Sequence, residues 1–465
     1  MNSSISEILE VFPEAKFFGD KDINISGITH DSRDVETNFM FCCVVGENVD
    51  GHKFASAAIE SGACILLVER RLDFDVPQLL VSDVREAMGY VSSSIYDHPS
   101  KELTIIGVTG TNGKSSVVQM LQDIWLESGI QSEIFGTLQG KRTTPEAPDL
   151  QRLFRQSVDR GVDAIAMEVS SHALELGRVN GTQFDLTIFT NLSHDHLDFH
   201  GNMEAYFNAK AKLFTSEFTS RGVVNSDDPY GKKIGSQLPD CRYYSLADAE
   251  DLIIDGPNST YTWESSKVSL SLAGSYNVSN ALAASTAAKM LGVEVSSIVK
   301  GLEKTRPVAG RFEIVSDNHP FWVTVDYAHT PDALEAVLKA AREISKSDRV
   351  IVVFGCGGDR DAKKRPEMGN VAEDKSDLAV LTTDNPRSED ASDIAAEVMS
   401  GVQDPDSVFQ IPDRRKAIEF AISEAEDGDV VVIAGKGHES GQTIGDVVHE
   451  FNDVEVATEI LGAIK

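Results

Sequence analysis

The sequence predicts an α/β chain of two or three domains with mostly parallel sheets. Three observations carry this. Its 465 residues exceed what one hydrophobic core usually supports. Apolar runs of strand length recur and end in clusters of polar residues. Helix-period segments such as 332–344 and 414–422 stand between them, which calls for parallel strands joined by right-handed crossovers.

Residues 1–98 carry strand-like runs at 39–45 and 64–68 with a helical pattern at 54–60 between them, a small α/β domain. Its polar feature, Thr29-His30-Asp31-Ser32-Arg33, reads by itself as an exposed turn. Asp97-His98-Pro99-Ser100-Lys101 reads as a linker, because proline disfavours regular structure and its neighbours are polar. The apolar run 103–106 leads into Gly107-Val108-Thr109-Gly110-Thr111-Asn112-Gly113-Lys114-Ser115-Ser116. Apolar residues at helical spacing follow over 117–126, with Gly129 as a stop. A glycine-rich turn from strand to helix that opens on Gly-Lys-Ser is a phosphate-binding loop. Backbone N–H groups and the positive end of the helix dipole converge there, Lys114 supplies charge for the outer phosphates, and the Ser115 hydroxyl can ligate Mg²⁺. Val108 stands where the common pattern has its first glycine, and Gly107 lies one residue earlier.

The same strand-to-polar junction recurs downstream. Run 164–167 leads into Glu168-Val169-Ser170-Ser171-His172, and 186–189 into Thr190-Asn191-Leu192-Ser193-His194-Asp195-His196. Run 321–325 precedes Asp326-Tyr327-Ala328-His329, and 350–354 precedes Gly355-Cys356-Gly357-Gly358-Asp359-Arg360. Run 378–381 precedes Thr382-Thr383-Asp384-Asn385-Pro386-Arg387, and 430–434 precedes Gly435-Lys436-Gly437-His438-Glu439. One such junction is a turn; their repetition matches the rule that open parallel sheets bind ligands at the carboxyl ends of their strands. A break near Arg306-Pro307 divides the strands into two sheets.

Composition sets the class. Apolar residues make up 41% and charged residues 25%, ordinary for a soluble globular protein. The N-terminus lacks signal-peptide features and no long apolar run exists, so a cytoplasmic protein is expected. The net charge of −32 argues against a nucleic-acid surface or an anionic membrane as partner. Five cysteines without Cys-x-x-Cys spacing suggest buried thiols, neither a disulfide framework nor a zinc site.

Glu168 and His196 each follow a buried-looking strand in the same domain as Lys114 and Ser115. Taken singly, Glu168 is as readily a capping or salt-bridged carboxylate, and His196 a structural histidine. Their shared placement favours a Mg²⁺ set of Ser115, Glu168 and His196, although imidazole is an unusual ligand for so hard a cation.

Gly110 to Ser115, Glu168 to His172, the segment 190–201, Gly274-Ser275-Tyr276-Asn277-Val278-Ser279-Asn280-Ala281 and Gly310-Arg311-Phe312-Glu313 together resemble the Mur ligases. These are ATP-dependent amide-forming enzymes of peptidoglycan precursor synthesis. The segment 326–332, the segment 355–366, Asp384-Asn385-Pro386-Arg387 and Gly435-Lys436-Gly437-His438-Glu439 are similar to the members that add the third residue of the stem peptide. The match runs in order from Asp31-Ser32-Arg33 almost to the C-terminus. Glu47-Asn48 departs from it, since some relatives have a His-Gln pair there.

The resemblance implies three domains: 1–98 for the uridine nucleotide, a central ATPase at 99–306, and a Rossmann-like domain at 307–465 that closes over the site. It implies ATP contacts from Gly110, Thr111, Asn112, Gly113, Lys114, Ser115, Ser116, Asn280, Arg311, Asp326 and His329. Ser32 would meet the uracil end, and Thr143, Thr144, Ser170 and Arg178 the pyrophosphate and sugar-peptide region. Arg360, Asp384, Asn385, Pro386, Arg387, Gly435 and Glu439 would hold the incoming amino acid. Lys210 matches the family's carbamylated lysine (N6-carboxylysine) and would join Lys114, Glu168 and His196 in catalysis; read alone it is a solvated helical lysine.

The implied reaction adds meso-2,6-diaminopimelate to UDP-N-acetylmuramoyl-L-alanyl-D-glutamate through an acyl phosphate, with ATP as co-substrate and Mg²⁺ as cofactor, in a monomer. Lysine-adding relatives generally lack the arginine at position 387, whose guanidinium can meet the distal carboxylate of diaminopimelate through two hydrogen bonds. Competing readings are a ligase adding the terminal dipeptide, a folylpolyglutamate synthetase, or a nucleotide switch that ligates nothing. The segments 384–387 and 435–439 argue against the first two; amino-acid-independent phosphate release would support the third.

Overall fold

The computed structural model describes residues 5–21, 23–46, 49–137, 142–316, 319–345 and 348–464. Glu47 and Asn48 lie outside the described residues.

The N-terminal sheet has the strand order Lys16–Phe18, Gln78–Leu80, Ala63–Val68, Phe39–Cys42, Gly27–Thr29, parallel except for the antiparallel Lys16–Phe18 edge. The strand expected over 39–45 ends at Cys42, because Val44 turns back to accept a hydrogen bond from Gly51 N. Cys42, Cys43 and Cys356 are buried; Cys64 and Cys241, expected to be so too, are partly exposed.

The central sheet is wholly parallel, ordered Asp240–Tyr244, Arg221–Asn225, Leu186–Phe189, Thr104–Thr109, Ala164–Glu168, Ser132–Phe135. Ile105, Ile106, Val108, Ile165, Ala166 and Ile188 are fully buried, as strands covered by helices on both faces require. One covering layer is the helix Lys114–Glu127, which ends where Gly129 takes φ +79°. It packs with the helices Ser275–Met290 and Val295–Lys304 in one core that also includes Tyr261 and Trp263. Those aromatics belong to an antiparallel meander, Glu250–Asp255, Asn258–Trp263 and Ser266–Leu270, an element absent from the sequence expectation.

The C-terminal sheet runs Glu313–Ile314, Trp322–Asp326, Val430–Ala434, Val350–Phe354, Leu378–Leu381, Val408–Gln410, parallel but for the two-residue edge strand. A hairpin, Gly441–Ile444 with Val447–Glu450, leaves its end.

The 97–101 segment is not a free linker. Asp97 and His98 adopt left-handed φ, Pro99–Lys101 closes a 3₁₀ turn, and Pro99 and Ser100 are buried. Ser100 Oγ accepts from Gln183 N at 3.2 Å, so the proline shapes a packed corner. The neighbouring helix Val84–Ile95 docks on the central unit through Glu86 O and Asn180 Nδ2 (3.2 Å) and through Tyr90 and Glu217.

Candidate active site

Strand register decides what meets what. Val108 pairs with Glu168 and Thr109 with Phe189, so the phosphate loop, Glu168 and Thr190-Asn191 emerge at one sheet edge. In the C-terminal sheet Asp326 pairs with Ala434 and Phe354 with Leu381, which brings Asp326, Gly435 and the 382–387 turn to a second edge.

The loop is anchored from behind. Thr190 Oγ1 donates to Asn112 O at 2.6 Å, Asn191 Oδ1 accepts from Asn112 N at 2.9 Å, and Asn191 O accepts from Thr111 N. Gly110 (φ +155°) and Gly113 (φ +88°) are required twice over: a Cβ would fall 1.8 Å from Thr190 Oγ1 at the first and 2.3 Å from Asn280 Oδ1 at the second. Lys114 Nζ curls back onto Gly110 O (2.9 Å) and Thr111 O (2.8 Å).

Glu168, 2% exposed, accepts from Ser115 Oγ at 2.9 Å and Thr137 N at 2.9 Å on Oε1, and from Thr137 Oγ1 at 3.3 Å on Oε2. A hydroxyl and a carboxylate this close, at the start of a phosphate-loop helix, are hard oxygen donors that fit Mg²⁺. His196 takes a left-handed φ, sets its ring edge-on to His172 at 4.9 Å and pairs with Asp195 at 3.4 Å. Although its side chain is 45% exposed, the protein around the ring lowers its pKa against the pull of Asp195, helped by His172, Lys114 and Lys210. Among the described residues no cluster of three or more His, Cys, Asp or Glu could cage a metal.

Lys210 is not a solvated lysine. It is 1% exposed, its Nζ donates to Gly110 O at 2.9 Å, and it lies 4.6 Å from the Tyr206 ring centroid. Burial, reinforced by the Lys114 charge and opposed by Asp195, holds its pKa well below the ordinary lysine range.

A cleft of about 680 Å³ joins the two edges. Thr111, Asn112, Gly113, Lys114, Ser115, Ser116, Glu168, His196 and Asn280 line it from the central unit, and Arg311, Asp326 and His329 from the C-terminal one. Asp326 accepts from Phe312 N and Ala328 N at 2.7 Å each, and burial raises its pKa to about 6 against Arg311 and these hydrogen bonds. Burial holds His329 below the usual histidine range. Of the residues expected at the sugar-peptide end, Thr143 and Ser170 line the cleft. Thr144 Oγ1 donates to Glu168 O at 3.0 Å, and Arg178 pairs with Glu146 at 3.0 Å. Glu146 also takes Arg142 (2.6 Å) and Arg85 (3.4 Å), a charge cluster that the sequence expectation missed. Ser32 sits partly exposed in the Ser32–Asp34 turn of the N-terminal unit and does not line this cleft.

A second pocket, about 390 Å³, is lined by Asn385, Arg387, His438, Glu439, Ser440, Gly441 and Thr443. Arg387 holds a left-handed φ of +53° and donates through Nη1 to Gly358 O at 2.6 Å. Asn385 Nδ2 donates to Glu439 Oε2 at 2.9 Å. Asp384 is buried behind them, its pKa raised by burial against Arg414 and Lys436, and a Cβ on Gly435 would meet it at 2.8 Å. Pro386 links Asn385 to Arg387, and its carbonyl lies against Gly358. Arg360 is exposed, donates to Asp359 O, and does not line the pocket. Among the polar site residues the sequence did not single out are Thr137, Asp195 and Lys436; Asp195 and Lys436 lie inside quoted motifs, whereas Thr137 carries no local signal.

Three family models match in order: the Mur ligase family catalytic domain over residues 24–104, the Mur ligase middle domain over 108–288, and the Mur ligase glutamate ligase domain over 310–437. A UDP-N-acetylmuramoyl-L-alanyl-D-glutamate–2,6-diaminopimelate ligase of Geobacillus kaustophilus is 43% identical over 462 residues, covering 93% of this chain and 94% of its own. A solved structure with the same name has a TM-score of 0.70 at 33% identity, covering 100% of this chain and 99% of that one. The MurF ligase of Thermotoga maritima in complex with ADP gives 0.66 at 17% identity over 95% and 98% of the two chains, a likeness of fold. The chain belongs to the Mur ligase family and carries its three-domain α/β architecture.

Proposed function

We propose that this protein joins meso-2,6-diaminopimelate to UDP-N-acetylmuramoyl-L-alanyl-D-glutamate at the expense of ATP, the activity named for its 43% identical relative. The observation that carries the reading is that one cation and one anion, Arg387 and Glu439, line the second pocket, beside the C-terminal wall of the phosphate-loop cleft. That pair suits the distal carboxylate and ammonium of diaminopimelate; L-lysine would leave Arg387 without a counter-charge.

A carboxylate is a poor electrophile because its oxygen leaves badly. The terminal carboxylate oxygen of the dipeptide therefore bonds to the γ-phosphorus of ATP while the bond to ADP breaks. The amino group of diaminopimelate then attacks the acyl carbon, phosphate leaves, and the nitrogen sheds a proton. Lys114 and the loop N–H groups offset the charge gathered when two anions meet. Asn280, Arg311 and His329 hold the nucleotide, and Asp326 fixes the Phe312 and Ala328 amides beside it. Ser115, Glu168 and His196 would hold Mg²⁺, which would supply positive charge for the phosphates. Carbamylated Lys210 would add a carboxylate beside the loop.

The reading takes the protein as a cytoplasmic monomer; among the described residues no helix is long and apolar enough to cross a membrane. A coupled ADP-release assay with the nucleotide-dipeptide and a panel of amino acids tests the function. Release that depends on both the dipeptide and meso-diaminopimelate is expected, and release indifferent to the amino acid would sink the proposal in favour of a hydrolytic switch.

A further inference from the structure

Lys436 follows Gly435, whose φ of +117° turns the chain off the strand Val430–Ala434. The turn sends the side chain inward: Lys436 is 0% exposed, and its surroundings are polar. Its ammonium donates to Asn385 Oδ1 at 3.2 Å, Glu439 Oε2 at 3.2 Å and Gly441 O at 2.6 Å, and lies 3.8 Å from Asp384 Oδ1. An ammonium has three hydrogens, so its donor capacity is used in full. All three acceptors belong to residues that line the second pocket.

The consequence falls on Asn385 and Glu439. Asn385 is held at both ends, Oδ1 by Lys436 and by Thr443 N at 2.9 Å, Nδ2 by Glu439 Oε2 at 2.9 Å. Glu439 Oε2 is thus engaged twice, whereas among the described residues no donor reaches Oε1. Remove the ammonium and two acceptors, Glu439 Oε2 and Asn385 Oδ1, crowd together with one fewer donor between them.

We infer that Lys436 is the positioning residue of this pocket: it neutralises the inner oxygen of Glu439 and locks Asn385, which leaves Glu439 Oε1 as the acceptor for the ammonium of a zwitterionic amino acid opposite Arg387. The inference rests on the assignment of the pocket to the incoming amino acid. Lys436 itself touches no reacting atom, so its effect passes through Asn385 and Glu439.

The test is steady-state ADP release by wild type, Lys436→Gln, Lys436→Met, Asn385→Ala and the Asn385→Ala/Lys436→Met double variant, with meso-diaminopimelate varied at saturating ATP and nucleotide-dipeptide. Gln retains part of the hydrogen bonding and serves if Met does not fold. Removing one partner of a buried charged pair should raise KM for meso-diaminopimelate about 30-fold or more while KM for ATP stays within about twofold. Because Lys436 acts partly through Asn385 and partly through Glu439, the double variant should fall short of the product of the two single effects, and a full product would count against the coupling. An unchanged KM for meso-diaminopimelate, or KM values for all three substrates rising together with a lowered melting temperature, would overturn the inference. Wild-type ADP release that ignores meso-diaminopimelate would instead overturn the assignment of the pocket, and this inference with it.

Discussion

Lys114 and Lys210 donate to the same acceptor, the carbonyl oxygen of Gly110, each at 2.9 Å. Burial holds both below the ordinary lysine range, and at Lys210 the Lys114 charge pushes in the same direction. A lysine whose folded pKa lies well below its unfolded value loses its proton in the folded state at a pH where it would otherwise keep it.

The neutral amine can add CO₂, forming a nitrogen–carbon bond and releasing a proton. ¹³C-bicarbonate should therefore give a carbamate NMR signal in wild type that is absent in Lys210→Ala. That variant should lose activity by about 100-fold or more, with partial recovery on adding short carboxylic acids. Absence of both signal and rescue would show that Lys210 works as an amine.

Glu168 and Ser115 share a hydrogen bond at the loop, and a metal would replace it. Glu168→Gln and His196→Ala should each cut ADP formation by roughly 10²–10³-fold at limiting Mg²⁺, leaving nucleotide-dipeptide binding by calorimetry nearly intact. Near-normal turnover in both would remove them from the metal set.

Arg387→Ala should raise KM for meso-diaminopimelate about 100-fold or more without changing ATP affinity. In wild type, kcat/KM should favour meso-diaminopimelate over L-lysine by roughly 10⁴-fold. Comparable values for the two amino acids would contradict the pocket chemistry.

Asp326 carries the pH dependence most easily isolated. Its folded value of about 6 stands above the ordinary carboxylate 3.8, so its contribution is present at low pH and is lost as pH rises toward 6. The gap corresponds to about 3 kcal/mol. Asp326→Asn, which cannot ionise, should be less stable than wild type at pH 4.5 through its lost backbone hydrogen bond, and the deficit should shrink by pH 7.5. Melting temperatures at the two pH values measure this, and a constant deficit would argue against the raised pKa.

Arg414 and Asp453 are both fully buried and joined by two hydrogen bonds, 2.8 and 2.7 Å, with Ala434 O as a third partner. Arg414→Ala strands a carboxylate in the interior and should cost about 3–5 kcal/mol. Chemical denaturation should show the loss in the C-terminal unit; an effect below about 1 kcal/mol would mean that water reaches Asp453.

How far the sequence led depends on how local each feature is. The phosphate loop was legible because its glycines, its lysine and the strand-to-helix switch lie within ten residues of one another. The pairing of Glu168 with Ser115 was inferable only as a neighbourhood, since register across the strands sets it. Lys210 was opaque: Lys212 stands two positions on, and nothing local says which of the two faces the core. Gly110, far away in sequence, decides it, with Tyr206 one helical turn back closing over the ammonium. The 250–270 meander was missed because its strands are short and one face stays wet, leaving only partial alternation. The 97–101 corner misled because its proline and polar residues look the same in a linker and in a tight packed turn.

The cleft has one wall from the central unit and one from the C-terminal unit, and His194 ties the two across it through Asp332 (3.2 Å) and Asp361 (3.3 Å). A nucleotide lodged there would add a reversible cross-link between two bodies whose cores, built on different sheets, already meet at Ala273 and Tyr276. Melted without it, the two bodies are expected to unfold in overlapping steps. With nucleotide at a hundred times its Kd, the joined state gains about 2.7 kcal/mol that neither body holds alone. Heat capacity traces of the apo protein should then show resolved or broadened transitions that merge into a single sharper one as ADP is added, so that the nucleotide doubles as the cement of the enzyme.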